Sequence, residues 1–477
     1  MLFNSIHYFI FAPIAIWIYF LIPYRMRHYF MLAASFYFYA VFRVPFLLIL
    51  IFCLVGTHYL SRLIFQSTTE TKKKIFLFAG IFLNLSILYF FKYVDFSFRA
   101  FNQIVRMNPC EGLQPWGVIL PMGISFFTLQ AISFLVDVYR GVIAPARNLL
   151  HFALFLSFFP QLVAGPIMRA KDLLHQFQEN HDFDFKNLYV GLRLITVGLF
   201  KKTMIADSIS GTVDTIFHAP HLYSWSALYL GAILFVIQIY CDFSGYSDIA
   251  IGTGRVLGFR IPENFSRPFL AQNMTQLWRR WHISLSTWLR DYIYVPLGGS
   301  RVSFHHASWN LLISFVVGGI WHGADWTFVL WGFSHSAVIV TERYLLSKKQ
   351  VSSLVSKIPG FVKIGYTFLL FAFLAVFFRS QPISGNPLYG EGLSVAVVYF
   401  KRIITLAEGS TVSVGLPQIS AILILFFIEG IQERFGDLFR PVWERPYLVY
   451  SISGIVIGLC FFIYSVTISP QFIYFQF

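Results

Sequence analysis

The chain has 477 residues, of which 57% are hydrophobic, 19% aromatic and only 12% charged, and it carries a formal charge of +14. A soluble domain carries about 25% charged residues, so this composition excludes one. Apolar runs of membrane-spanning length recur from end to end, which fits one polytopic helical membrane domain over residues 1–477 rather than several soluble domains.

The alternating pattern of an outer-membrane barrel is absent. The positive balance is what topology-setting Lys and Arg give a membrane protein, so no nucleic-acid partner is implied. A smaller part of that charge remains available to the phosphates of a soluble donor or to anionic membrane lipid.

The first spans are expected at residues 6–22, 29–42, 45–65 and 75–91. The second is short for a hydrocarbon core of about 30 Å and is expected to tilt or to pair with the third. Arg25 and Arg27 follow the first span, and Lys72, Lys73 and Lys74 precede the fourth. Both loops are therefore expected in the cytoplasm, with the N-terminus outside. The first segment lacks a basic leader and a small-residue cleavage site, and reads as a retained helix.

Residues 92–116 read as an outside loop. Residues 121–138 and 149–164 are apolar but interrupted, with a break at Ala164-Gly165-Pro166, and read as broken or re-entrant helices. A bilayer tolerates such backbone only where protein or a water-filled cavity covers it. A polar stretch follows, then a helix over residues 187–200 expected to end in the charges of Lys201 and Lys202. The strong span at 225–251 holds Gln238, Asp242 and Asp248. A polar block at 255–301 precedes an apolar run at 309–340.

Lys348, Lys349, Lys357 and Lys363 mark a cytoplasmic loop. Residues 364–378 exit, 419–431 return to a loop holding Arg434, Arg440 and Arg445, and 447–468 exit again, which puts the C-terminus outside. Residues 390–406 read as an interfacial amphipathic helix. The expected total is ten or eleven spans, with no internal repeat. Cys53, Cys110, Cys241 and Cys460 are scattered without metal-ligand spacing, so neither a disulfide framework nor a metal is expected.

Residues with chemical potential concentrate between Trp278 and His335. His322 lies in the apolar run, where Asp325 is the only formally charged neighbour between Leu311 and Val340. An ionisable group at membrane depth is expensive and marks a candidate site, and a neutral imidazole can take a proton from a hydroxyl and return it. The alternative is a structural histidine bonded between helices. Asp325 falls on the same face as His322 if the helix is continuous, and would then orient the ring. Gly318, Gly319 and Gly323 allow close backbone approach.

His282 sits among Trp278, Trp281, Trp288, Arg279, Arg280 and Arg290, with Ser286 one turn away. This element reads either as an anchor on lipid headgroups or as a place where arginines hold a phosphate-bearing cofactor and aromatics stack on its base. On the second reading Arg279, Arg280, Trp281 and Arg290 are the cofactor contacts. Asp242 and Asp248 read as proton-handling groups or as buried helix caps. The terminal Phe472-Ile473-Tyr474-Phe475-Gln476-Phe477 reads as an aromatic interface tail, or as the carrier of an acyl-accepting hydroxyl.

Five motifs tie these residues together: Q-L-V-A-G-P-I at 161–167, C-D-F-S-G-Y-S-D-I-A-I-G at 241–252, E-N-F-S-R-P-F at 263–269, the W-R-R-W-H-I-S segment opening at 278, and G-G-I-W-H-G-A-D-W at 318–326. With them the chain resembles the membrane-bound O-acyltransferase family, in the bacterial branch that includes alginate O-acetylase and peptidoglycan O-acetyltransferase. The resemblance implies an all-α polytopic fold, a ring of helices around a thinned centre where two funnels meet. It implies a catalytic core over about residues 117–345, with His322 as the catalytic histidine and His282 as a second important one.

It further implies acetyl-CoA as the donor substrate with no bound cofactor, a periplasmic acetyltransferase partner, and residence in the bacterial inner membrane. A related branch moves D-alanine with a small partner whose C-terminal tyrosine carries the acyl group. The tail at 469–477 ends in a similar pattern, so Tyr474 is expected to act as a built-in acyl relay. Two competing readings are D-alanyl transfer from a carrier-protein thioester and a transporter without chemistry. Inverted repeats would favour the transporter, and none is visible.

Overall fold

The computed structural model describes residues 1, 3–105, 113–163, 165–380, 392–436 and 445–466, and of residues 461–466 only the backbone. Regular structure among the described residues is helical, apart from one isolated bridge between Tyr223 and Ser410. The described residues divide into two compact units, Met1–Thr196 with Tyr246–Pro262 and residues 449–466, and Val197–Gly245 with Glu263–Leu448.

The first unit opens with α1 (Ile6–Leu21), α2 (Tyr24–Ala40), α3 (Val44–Gln66) and α4 (Glu70–Leu88). A π-turn at Tyr89–Tyr93 carries α4 into α5 (Val94–Val105), so the segment expected as a loop from residue 92 begins as helix. Asp95 at the start of α5 accepts the backbone N–H groups of Trp116, Gly117 and Val118 at 2.8–3.2 Å. That satisfies donors which a polar loop would otherwise leave to water.

α6 (Ile124–Tyr139) starts at Gly123, whose φ of 73° is left-handed and where an added Cβ would lie only 2.6 Å from the Leu162 carbonyl oxygen. All of α6 except Val136 and Tyr139 is buried, including the polar Ser125, Thr128, Gln130, Ser133 and Asp137. α7 (Leu149–Ser157) then breaks into an irregular stretch in which Phe158, Phe159, Leu162 and Val163 are buried. The helix thus ends at Ser157, before the break expected at Ala164-Gly165-Pro166, and its irregular continuation is covered by protein, as a bilayer requires; α6, expected to be broken as well, is one continuous helix. α8 (Ala170–Leu173) and α9 (Phe185–Leu199) follow.

A π-helical stretch, Phe200–Asp207, leads from α9 into α10 (Ser208–His218), and α11 (Trp225–Val256) is a single helix of 32 residues. Lys201 and Lys202 do not end a helix in solvent. Both are buried in the π-helical stretch. Lys202 pairs with Asp207 at 2.6 Å and with Asp242 at 2.8 Å, and Lys201 lies 5.6 Å over the Tyr240 ring.

The rest of the second unit is α12 (Met274–Arg280), α13 (Ile283–Leu289), α14 (Phe304–His322), α15 (Trp326–Ser347), α16 (Lys349–Lys357), α17 (Gly360–Arg379), α18 (Gly392–Ile404) and α19 (Leu416–Phe435). α20 (Pro446–Val466) closes the described chain. The apolar run expected as one span over 309–340 is two helices, α14 and α15, packed on each other. A Cβ on Gly319 would strike the Phe328 carbonyl, and one on Gly332 would strike the Phe315 carbonyl. Glycine at both places lets the two backbones touch.

Val44–Gln66, Glu70–Val105, Trp225–Val256, Gly360–Arg379 and Leu416–Phe435 are each long and apolar enough to cross a membrane. The three described cysteines, Cys53, Cys241 and Cys460, are buried as small hydrophobes, and Cys110 lies outside the described residues.

Candidate active site

The site is built in the second unit around the end of α14. His322 is the last residue of α14 and is 4% exposed. Its ring is walled by Trp321, Trp331 and Phe378 at centroid distances of 4.9, 5.1 and 5.1 Å. Trp331 and Phe378 meet it edge-on, the arrangement that aromatic rings prefer.

After His322 the chain turns through Gly323, and Asp325 becomes the N-cap of α15, its Oδ1 accepting the Thr327 N–H at 2.9 Å. The continuous helix on which the same-face argument for Asp325 rested is therefore absent. Asp325 sits at the start of the next helix instead, where an aspartate satisfies an orphan N–H.

His282 lies 6.1 Å from His322, centroid to centroid. It is fully buried, with φ 42° and ψ 54° at the N-cap of α13. Phe243 meets its ring edge-on at 4.7 Å, Phe265 is parallel to it at 6.4 Å and Trp321 is 5.9 Å away. Burial pushes its pKa down to about 3, which keeps the imidazole neutral at physiological pH. Asn264, from the E-N-F-S-R-P-F motif, fastens the next two residues. Its carbonyl accepts the Ile283 N–H at 2.9 Å, and its Oδ1 accepts the N–H and hydroxyl of Ser284 at 3.2 and 2.8 Å.

A cavity of about 830 Å³ reaches His322. Trp278, Leu285, Phe315 and Trp331 give it apolar walls, while Arg279, Arg290, Glu342 and Arg343 supply charge. Ser286 also lines it, and its hydroxyl donates to the Trp281 carbonyl at 3.1 Å. Of the four residues expected as cofactor contacts, Arg279 and Arg290 line this cavity. Arg280 is instead paired with Glu433 at 2.8 Å, and Trp281 is packed against Tyr240, Phe265, Phe269 and Phe371. Arg290 also pairs with the neighbouring Asp291 at 2.7 Å.

The sequence reading passed over Glu342 and Arg343. They lie at the end of α15, three and four residues beyond the cavity-lining Ile339, so helical periodicity from Trp331 would have reached them. It also passed over Glu429 and Glu433, two carboxylates in an apolar helix, which the cost of a charge at membrane depth already marks. Tyr474 lies outside the described residues.

The model of the membrane-bound O-acyltransferase family matches residues 146–374. The chain is 38% identical over 465 residues to the probable alginate O-acetylase AlgI of Pseudomonas syringae pv. tomato, covering 95% of this chain and 88% of that one. It is 36% identical over 375 residues to the peptidoglycan O-acetyltransferase of Helicobacter pylori, covering 73% and 70%. It is 29% identical over 244 residues to the teichoic acid D-alanyltransferase of Bacillus subtilis, covering 48% and 60%.

Proposed function

The chain belongs to the membrane-bound O-acyltransferase family and is an acyltransferase, and from that premise we propose that it moves acetyl groups from cytoplasmic acetyl-CoA across the bacterial inner membrane, for O-acetylation of an extracytoplasmic polysaccharide of the alginate or peptidoglycan kind. The observation that carries this reading is one cavity with arginines and an apolar corridor that reaches His322. Arg279, Arg290 and Arg343 suit the phosphates of coenzyme A, and the walls of Trp278, Phe315 and Trp331 suit its slimmer arm. The charged part of the donor is too costly to move through hydrocarbon, so only the acetyl group crosses.

In this reading His322 takes the proton of the accepting hydroxyl as its oxygen attacks the thioester carbonyl. The carbon–sulfur bond then breaks, and the thiolate leaves with the proton that His322 returns. The accepting hydroxyl is that of Tyr474, on a C-terminus outside the membrane. A periplasmic acetyltransferase partner then moves the acetyl group from the tyrosine to a sugar hydroxyl and regenerates the phenol. His282 does not line the cavity; it packs behind His322, with the two rings 6.1 Å apart, and acts on transfer through that ring, while Asp325 orients the His322 segment by capping α15.

D-alanyl transfer from a carrier-protein thioester is the second reading, supported by the teichoic acid D-alanyltransferase relative. The higher identity and coverage of the two acetylases favour acetyl. The test is the product. A strain whose only copy carries Tyr474→Phe is expected to lose polysaccharide O-acetyl groups, as the deletion strain does, while the purified variant still binds acetyl-CoA. Normal O-acetylation in that strain would end the relay, and esterified D-alanine among the wild-type products would replace the donor.

A further inference from the structure

Among the described residues, three that are not glycine have positive φ: Arg267 at 47°, His282 at 42° and Leu406 at 51°. Arg267 and His282 lie in one segment; histidine is among the residues found more often in this region, whereas arginine is not. Such backbone persists only where its surroundings hold it, and it clusters at functional sites. Asn264 holds the far side of the His282 turn, as described above. The near side is held by α19.

α19 is an apolar helix most of whose surface is exposed, with Leu423 62%, Phe427 68% and Phe435 61% accessible. Its two carboxylates, Glu429 and Glu433, are four residues apart and therefore share a face. Glu433 uses both oxygens: Oε2 is 3.1 Å from Arg267 Nε and Oε1 is 2.8 Å from Arg280 Nη2. One carboxylate thus spans the left-handed Arg267 and the residue two before the left-handed His282. One turn earlier, the Tyr240 hydroxyl donates to Glu429 Oε1 at 2.5 Å, and the Tyr240 ring packs at 6.1 Å on Trp281, the residue directly before His282. The Ser266 N–H donates to the Arg280 carbonyl at 2.9 Å and ties the two ends of the segment together.

Glu433 and both arginines are about one third exposed, so solvent screens these pairs and they add little to stability. What they add is position: Arg280 reaches Glu433 with Nη2 and the Arg267 carbonyl with Nη1, and so joins the two ends of the segment to α19. We propose that Glu433 is a positioning residue for acyl transfer, holding Arg267 and Arg280 so that the strained turn presents the His282 ring in one orientation. The proposal rests on the reading that His282 serves that transfer.

The test uses full-length protein in detergent, with Glu433→Gln, Arg280→Lys and Leu425→Ala compared. Arg280→Lys keeps the charge but loses the fork, and Leu425→Ala removes a buried contact of the same helix without touching the turn. Accessibility of His282 is read by diethylpyrocarbonate modification and peptide mass spectrometry, next to kcat and KM for acetyl-CoA and the melting temperature. His282 is expected to be protected in the wild type and in Leu425→Ala, and to react in the other two. In those two, kcat should fall at least about tenfold while KM stays within about twofold, because a misdirected group costs turnover more than donor binding.

His282 remaining protected in both Glu433→Gln and Arg280→Lys would overturn the proposal, as would equal reactivity in Leu425→Ala. Reactivity gained with kcat unchanged would uphold the positioning of His282 and overturn its part in acyl transfer.

Discussion

His322 and Asp325 divide the work of one short turn. The imidazole is held by three aromatic rings, and the carboxylate three residues later starts the next helix. Because α14 ends on His322 and α15 begins at Trp326, the position of the ring depends on how firmly that second helix is capped. Asp325→Ala removes the acceptor of the Thr327 N–H and should cost about 1 kcal/mol of stability, whereas Asp325→Asn should keep most of it. Thermal unfolding in detergent measures both. If the cap also positions His322, turnover should fall in the alanine variant and return in the asparagine one.

His322 was legible as an ionisable group in an apolar run, and His282 as a histidine among tryptophans and arginines. The cap was not, because periodicity alone cannot tell one helix of 32 residues from two helices with a three-residue turn when glycine and aspartate both occur in the run. Arg280 was misplaced for a related reason. Its side chain is turned to Glu433, a residue 153 positions away, and no local pattern announces a partner at that distance.

At the scale of elements, close packing of α14 and α15 is what brings Trp331 against His322. Gly319 and Gly332 sit where the backbones touch, and any side chain there would meet a carbonyl. Gly332→Val should therefore separate the helices, cost about 1–3 kcal/mol or prevent folding, and loosen the Trp331 wall. A melting temperature unchanged by that substitution would refute the contact.

The buried Lys202 pair is the second element-scale feature. Lys202→Met leaves Asp207 and Asp242 without their shared cation, and should destabilise the protein by about 3 kcal/mol or more, since breaking a buried pair strands a charge. The same thermal measurement reads it. Most long helices were visible as apolar runs, Trp225–Val256 most plainly. The continuation of α4 through Lys92, and of α9 through Lys201 and Lys202, was not. Charged side chains ordinarily signal the end of a span, and here both stretches run on through π-helical turns that keep the backbone bonded, with Lys201 and Lys202 buried and Lys92 half-buried.

For the whole molecule, the all-α multi-pass architecture followed from composition, and the family followed from five motifs, four of which give the second unit residues that meet around the two histidines. Asn264 fastens the His282 turn, Phe243 packs on the His282 ring, and His322 ends the cavity. The cavity itself was out of reach of the sequence, because its lining comes from α12, α13, α14 and α15 together and depends on where each helix turns.

The central claim is that His322 is the base that frees the accepting hydroxyl for attack on the donor in that cavity. The most direct measurement is acyl transfer by the purified protein in proteoliposomes loaded on one side with radiolabelled acetyl-CoA, for the wild type, His322→Ala and His322→Gln. Label is expected on the protein's own tyrosine in the wild type. Both variants should slow its appearance about 10²–10⁴-fold while acetyl-CoA affinity stays close to the wild-type value. Label appearing at the wild-type rate in His322→Ala would contradict the account.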